Sequence, residues 1–266
     1  MPVSVATESE FNSLASAVSA ISDRVTATEK DIALLKTQPA PSTTGTGFYW
    51  PGYVYPTSTL WTTFVNMAKA NPTKKFLIAI NPNSGVGSAK DTNYVNGITL
   101  LRTAPNILII GYVYTSYGAR SDAAIKDEID KYKSWYGIDG IFFDEMSNTA
   151  GKEQYYKDKT TYIHSIGMKL VMGNPGTDTS SSFVGTVDNI IIYERANLPS
   201  VDLVKGWHLS YDKKNFSIIP YAVTTLTTQQ VKDFVPYVGW IYITNDILPN
   251  PWDSMTTHSN TILAAL

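Results

Sequence analysis

There is no cysteine in the chain. That removes disulfides, thiol catalysis and cysteine-based metal sites, and it leaves the cellular compartment open. Histidine is scarce. His164, His208 and His258 stand far apart with no short metal-ligand spacing, so each reads as a surface or packing residue, and no metal or other cofactor is expected. Charge of one sign is missing too. The chain mixes 21 basic and 23 acidic side chains over 266 residues, for a net charge of −2. Nothing in that balance favours nucleic acid or an anionic membrane. No run approaches the ~20 apolar residues of a membrane span. The first residues, MPVSVATESE, show no basic segment followed by an apolar one, so no signal peptide is expected. Aromatic residues, by contrast, are abundant: 17 Tyr and 6 Trp. Many follow apolar runs. Flat rings stack on the apolar faces of sugars while their polar edges stay wet, so this composition hints at a sugar-facing surface.

Two regions differ in character. Residues 8–37 predict one helix in which Phe11, Leu14, Val18, Ile21, Val25, Ile32 and Leu35 recur in steps of three and four, with Thr28 as the interruption. Phe11, Val18, Val25 and Ile32 take heptad position a; Leu14, Ile21, Thr28 and Leu35 take d. In a parallel pairing Arg24 faces Glu29 of the neighbour, and Asp31 faces Lys36. The bland alternative is a single amphipathic helix lying on a domain. The narrow seam favours a coiled coil over residues 1–37, an oligomerisation helix compatible with a dimer or a trimer. TQPAPSTTGTG, residues 37–47, is rich in Pro, Thr and Gly, so residues 38–47 are read as a linker. A domain is expected over residues 48–266.

There, apolar runs alternate with helical patterns. Eight runs are expected as strands: 49–55, 75–80, 107–112, 140–144, 169–172, 189–193, 216–222 and 239–244. FLIAI, ILIIG, GIFF and NIIIY are continuous rather than alternating, as parallel strands buried on both faces require. SDAAIKDEIDKYKSWYG reads as a helix capped at Asp122 and stopped at Gly137. Eight strand–helix units in this length predict an α/β fold of the (β/α)8 barrel type. A doubly wound open sheet, the rival, usually has fewer strands and a Gly-rich first turn.

In such a barrel the working face is the one where the strands end. Reading the residue after each run gives Asn81, then Tyr112, Tyr114 and Arg120, then Asp144 and Glu145, then Asn174, Glu194, Tyr221, and finally Asn245 beside Asp246. Glycoside hydrolysis needs two carboxylates flanking one bond, one to protonate the leaving oxygen and one to attack or activate water. Asp144 and Glu194 fit that need. Asp144 and Glu145 do not form the pair as plain strand residues, because neighbours on a strand point to opposite sides. Glu145 and Asp246 are equally able to cap the next helix, and the tyrosines are either core residues or sugar platforms. NPNSGVG lacks the Lys and Ser/Thr of a phosphate-binding loop and reads as a tight turn shaping the cleft.

The order INPNSGVG (80–87), GYVYTSYGAR (111–120), DEIDKYKSWYGIDGIFFDEMSN (127–148) and GNPG (173–176) resembles the spherulin-4-like glycoside hydrolases, over about residues 48–266. That resemblance implies a (β/α)8 barrel related to endo-acting α-1,4-N-acetylgalactosaminidases, with functional groups after strands four, five and six. Matched by motif, these are Asp144 and Glu145, Asn174, and Glu194 in YERAN. Val86 departs from the Pro of many relatives, and the heptad helix lies outside the family pattern. Heptad, linker, missing signal and missing cysteine together resemble a bacteriophage tail fibre or tailspike, where a trimer is the expected oligomer and the virion the location; extracellular release by another route is the alternative. The expected function is hydrolysis of an amino-sugar exopolysaccharide or capsule. Asp144 would act as nucleophile or charge stabiliser and Glu194 as general acid/base, with Glu145 the third candidate acid. Asn174, Tyr112, Tyr114, Tyr221, Asn81, Arg120 and Asn245 would bind substrate. Two rivals are a receptor-binding head that holds polysaccharide without cutting it and a purely structural stalk and knob.

Overall fold

The computed structural model describes residues 7–37 and 45–266. The chain divides into two compact units at about residue 40. The first contains one helix, α1 (Glu8–Thr37), about 45 Å long at 1.5 Å per residue. Leu14, Val18, Ile21 and Val25 of the expected seam stand 51–63% exposed on it. The seam side chains of Phe11, Thr28, Ile32 and Leu35 lie outside the described residues, as does most of the expected linker.

The second unit is a closed barrel of eight parallel strands in sequential order. They are β1 (Gly47–Gly52), β2 (Phe76–Ile80), β3 (Ile107–Tyr114), β4 (Gly140–Asp144), β5 (Leu170–Gly173), β6 (Asn189–Tyr193), β7 (Phe216–Ile218) and β8 (Trp240–Ile241). All eight expected runs form strands, and β1, β2, β4 and β6 are buried along nearly their whole length. Burial on both faces follows from closure: one face meets the axis and the other meets the helices. On the outer face Phe48, Trp50 and Phe76 surround Phe64 of α2 (Thr59–Ala70), with ring centroids 5.2–6.3 Å apart. Each such buried ring contributes about 1.5–3 kcal/mol. On the axis Tyr49, Tyr112 and Phe142 meet at 6.0–6.4 Å.

Helices start where sequence chemistry satisfies free N–H groups. Ser58, Asp91 and Ser121 cap α2, α3 (Thr92–Leu101) and α4 (Asp122–Lys131), while Thr227 and Gln230 make a reciprocal capping box at α6 (Thr228–Phe234). The cap of α4 is Ser121, with Asp122 the first helical residue, one position from expectation. Gly137 ends that segment in a left-handed conformation, φ 58°. Glu145 and Asp246 cap no helix: α5 (Glu153–Ser165) begins after Lys152, and Asp246 accepts from Ser254 instead.

The expected strand–helix alternation breaks twice. The β5–β6 and β6–β7 connections carry only short 3-10 turns, over Ser181–Phe183, Val201–Val204, Trp207–Ser210 and Lys213–Asn215. The first is TDTSSSFVG, whose hydroxyls compete for backbone hydrogen bonds; the second is interrupted by Pro199 and Gly206. No helix among the described residues is long and apolar enough to cross a membrane.

Candidate active site

At the end of β4 the chain emerges with Asp144, and at the ends of β5 and β6 with Asn174 and Glu194. The Asn174 side-chain nitrogen donates to Asp144 Oδ1 at 3.0 Å and to Glu194 Oε2 at 2.7 Å. Its oxygen accepts from the Gly176 backbone N–H at 3.0 Å. That last bond fixes which way the amide faces, so both N–H groups point at carboxylates. Tyr112, two residues before the end of β3, donates its hydroxyl to Asp144 Oδ2 at 2.8 Å. Four of the residues expected at the site are thus one hydrogen-bonded network on the barrel mouth.

The two acids are not equivalent. Burial raises the pKa of both, because removing water penalises the charged form. Asp144 has three donors opposing that rise: the Tyr112 hydroxyl, the Glu145 backbone N–H and Asn174. Glu194 has two, Asn174 and the Trp252 indole, and also feels the Asp144 charge, so it is pushed up to about 7. The environments thus set the two carboxyls apart, with Glu194 the one that keeps its proton to higher pH.

Glu145 stands outside the Asp144–Asn174–Glu194 hydrogen bonds. The strand pleat stops at Asp144, and Glu145 has a left-handed backbone, φ 48°. Simple alternation therefore does not describe it. The turn gives its N–H to the Asp144 carboxylate and its carbonyl to the Tyr117 N–H (2.8 Å) and the Thr115 hydroxyl (2.7 Å). Ser116 and Tyr117 are left-handed as well, so three strained residues clasp the ends of β3 and β4, a cost of order 1–3 kcal/mol each.

Other expected residues fall elsewhere. Asn81 and Asn245 spend their side-chain oxygens inside turns, on the Gly85 N–H and on Thr257 respectively. Tyr221 packs edge-on against Trp252 with centroids 6.3 Å apart. Tyr114 and Arg120 join Glu128 in a separate cleft. The histidines pair locally: His164 bonds Asp188, His208 bonds Asp178 through Nε2 while its buried Nδ1 has no partner, and His258 bonds the Val223 carbonyl. Two site residues escaped sequence reading. Trp252 lies well past the end of β8. Tyr49 lies inside β1, fully buried, and its hydroxyl has no hydrogen-bond partner. Burial raises its pKa well above the phenol range, and the charges of Glu194 and Asp144 add to the rise, so the hydroxyl lies within electrostatic reach of both acids.

Comparison with known proteins gives a consistent result. Residues 48–266 match the model of Spherulin4, spherulation-specific family 4. Spherulin-4 of Physarum polycephalum is 39% identical over 155 residues, covering 55% of this chain and 44% of that protein; the match therefore spans less than half of the relative's length. Among solved structures, Sph3 of Aspergillus clavatus, in complex with GalNAc, superposes with a TM-score of 0.73 at 22% identity, covering 83% of this chain and 97% of that one. A catalytic-site mutant of active domain 2 of the thermostable Pyrococcus furiosus chitinase, complexed with chito-oligosaccharides, gives 0.53 at 14% identity, covering 85% and 94%. At such identities these two establish the barrel fold.

Proposed function

The chain belongs to spherulation-specific family 4, and from that premise we propose that its barrel is a glycoside hydrolase of amino-sugar-containing polysaccharide. One observation carries the reading: a single amide nitrogen holds Asp144 and Glu194 together, at 3.0 and 2.7 Å, with burial pushing the second acid up to about 7. In the proposed reaction Glu194 gives its proton to the leaving glycosidic oxygen. Asp144 attacks the anomeric carbon or stabilises its positive charge, and Tyr112 and Asn174 hold that carboxylate in line. Since both contacts share one nitrogen, the two nearer oxygens lie no farther apart than the sum of those lengths, about 5.7 Å. That is close to the ~5–5.5 Å of retaining enzymes and short of the ~6.5–9.5 Å that leaves room for an attacking water. The sugar class is supported by the ligands of the structural neighbours, GalNAc for Sph3 and chito-oligosaccharides for the chitinase. No metal or cofactor takes part in this scheme.

We further propose that α1 is an oligomeric stalk, a trimer by preference, carrying the barrel as in a bacteriophage tail fibre. Its exposed apolar stripe supports this. The protein would then act on exopolysaccharide or capsule from the virion.

The test is incubation with a panel of polysaccharides and measurement of new reducing ends. Asp144→Asn and Glu194→Gln should each lower the rate by roughly 10²–10⁴-fold, and the first product should keep the substrate's anomeric configuration by NMR. Cleavage undiminished in both variants would falsify the site assignment. Binding without cleavage of any sugar would instead make the barrel a receptor-binding head, for which repeated copies on a stalk supply avidity.

A further inference from the structure

A second concavity lies between the loop after β2 and the face of α4 that runs from Ala124 to Lys131. It has a volume of about 400 Å³, and its lining includes Asn83, Gly85, Tyr114, Arg120 and Glu128. We infer that it is a distal sugar-binding subsite, taking a neutral or amino-sugar residue of the chain whose scissile bond lies at Asp144 and Glu194. The inference rests on the glycosidase reading and extends it to residues outside the catalytic network.

Its walls are built rather than incidental. Arg120 donates to the Tyr114 carbonyl at 2.8 Å and to Glu128 Oε1 at 2.5 Å, and its guanidinium lies 4.1 Å from the centre of the Tyr114 ring. The loop is held from below by Asn81, which accepts from the Gly85 N–H. It turns through left-handed conformations at Ser84 and Gly87. Gly85 has φ +140°, and a Cβ there would come within 2.7 Å of Glu128 Oε2. Only glycine lets the loop lie this close.

The carboxylates point to the ligand's chemistry. Glu128 Oε2 is buried against Gly85, but the Asp127 side chain in the same lining is exposed. An ionised carboxylate oxygen is acceptor-only, so the group that suits it is an O–H or N–H donor. Charge in the lining is balanced, with Arg120 and Lys131 against Asp127 and Glu128, and both cations are already paired. A sugar carboxylate would find no free cation and two like charges. A hydroxyl or ammonium group meets those acceptors as a donor. Continuity with the acids comes through β3: Tyr112 touches Asp144, and Tyr114, two residues on, belongs to the cleft. That step is a rise of about 6.6 Å.

Ser88 is exposed at the cleft's edge, and Ser88→Trp should fill the opening without touching the acids. The probes are partly N-acetylated galactosamine oligosaccharides of graded length. With Ser88→Trp, KM for the longest should rise about tenfold, while kcat and KM for the shortest cleaved oligomer stay at the parent values. Ser88→Ala controls for loss of the hydroxyl, and an unchanged thermal midpoint establishes folding. Identical length dependence in parent and variant overturns the subsite and leaves the glycosidase reading standing. If the parent cuts none of the probes, that reading fails, and calorimetric titration with the same oligomers decides the subsite separately. A tenfold weaker Kd in Ser88→Trp supports it. An unchanged Kd, no binding by the parent, or tighter binding of a uronic-acid oligosaccharide sinks it.

Discussion

Burial sets the proton balance of the site. The Asn174 amide gives one N–H to each acid and so opposes both upward shifts, but at Glu194 burial and the Asp144 charge outweigh it. Activity should therefore fall as pH rises through about 7, where Glu194 loses its proton, and fall again at low pH as Asp144 gains one. Stability follows the same group with a definite sign. The pKa of Glu194 is higher in the folded chain than its ordinary 4.5, so its contribution is complete below 4.5 and drains away as pH climbs through 7. Glu194→Gln removes that loss. Its thermal midpoint should exceed the parent's by roughly 3–6 °C at pH 8, a figure already discounted for residual solvent contact, and equal it below pH 4.5. A pH-independent difference would mean that Glu194 is not displaced. Asp144, Asn174 and Glu194 were legible because each is the first polar residue after a continuous apolar run. Tyr49 was not, because a tyrosine within a buried strand looks the same in sequence whether or not its hydroxyl finds a partner. Trp252 was missed because the chain travels eleven residues past Ile241 before it returns over the mouth.

Strands are the elements read best from this sequence. A run such as FLIAI admits few other parallel-sheet interpretations, and its ends are marked by Asn, Pro and Gly. Connections were read less well. The expected helices after β5 and β6 are replaced by 3-10 turns, since hydroxyl-rich and Pro-interrupted segments follow local hydrogen bonding more than periodicity. Nor does alternation announce the left-handed turn at Glu145, which tertiary contacts to Thr115 and Tyr117 impose. Gly140 shows how tightly strand pairing constrains the start of β4. A Cβ there would sit 1.9 Å from the Leu170 carbonyl oxygen, a backbone atom of the neighbouring strand. Gly140→Ala should cost about 3 kcal/mol or more in urea unfolding. A loss below 1 kcal/mol would mean that β4 and β5 separate easily.

At the scale of the whole molecule, the proposed stalk makes a claim about mass. The full chain should sediment as an oligomer, a trimer by preference, and a chain lacking residues 1–40 as a monomer with intact barrel signals. A full-length monomer refutes the stalk. If the heads are gathered in this way, each meets its copies at a high local concentration, where exposed strand edges commonly recruit one another. The closure of β1 onto β8, through Gly47 with Trp240 and Phe48 with Ile241, leaves the barrel no such edge. Two residue pairs thus keep neighbouring heads from merging into a shared sheet, so that crowding multiplies grip on a polysaccharide without inviting aggregation.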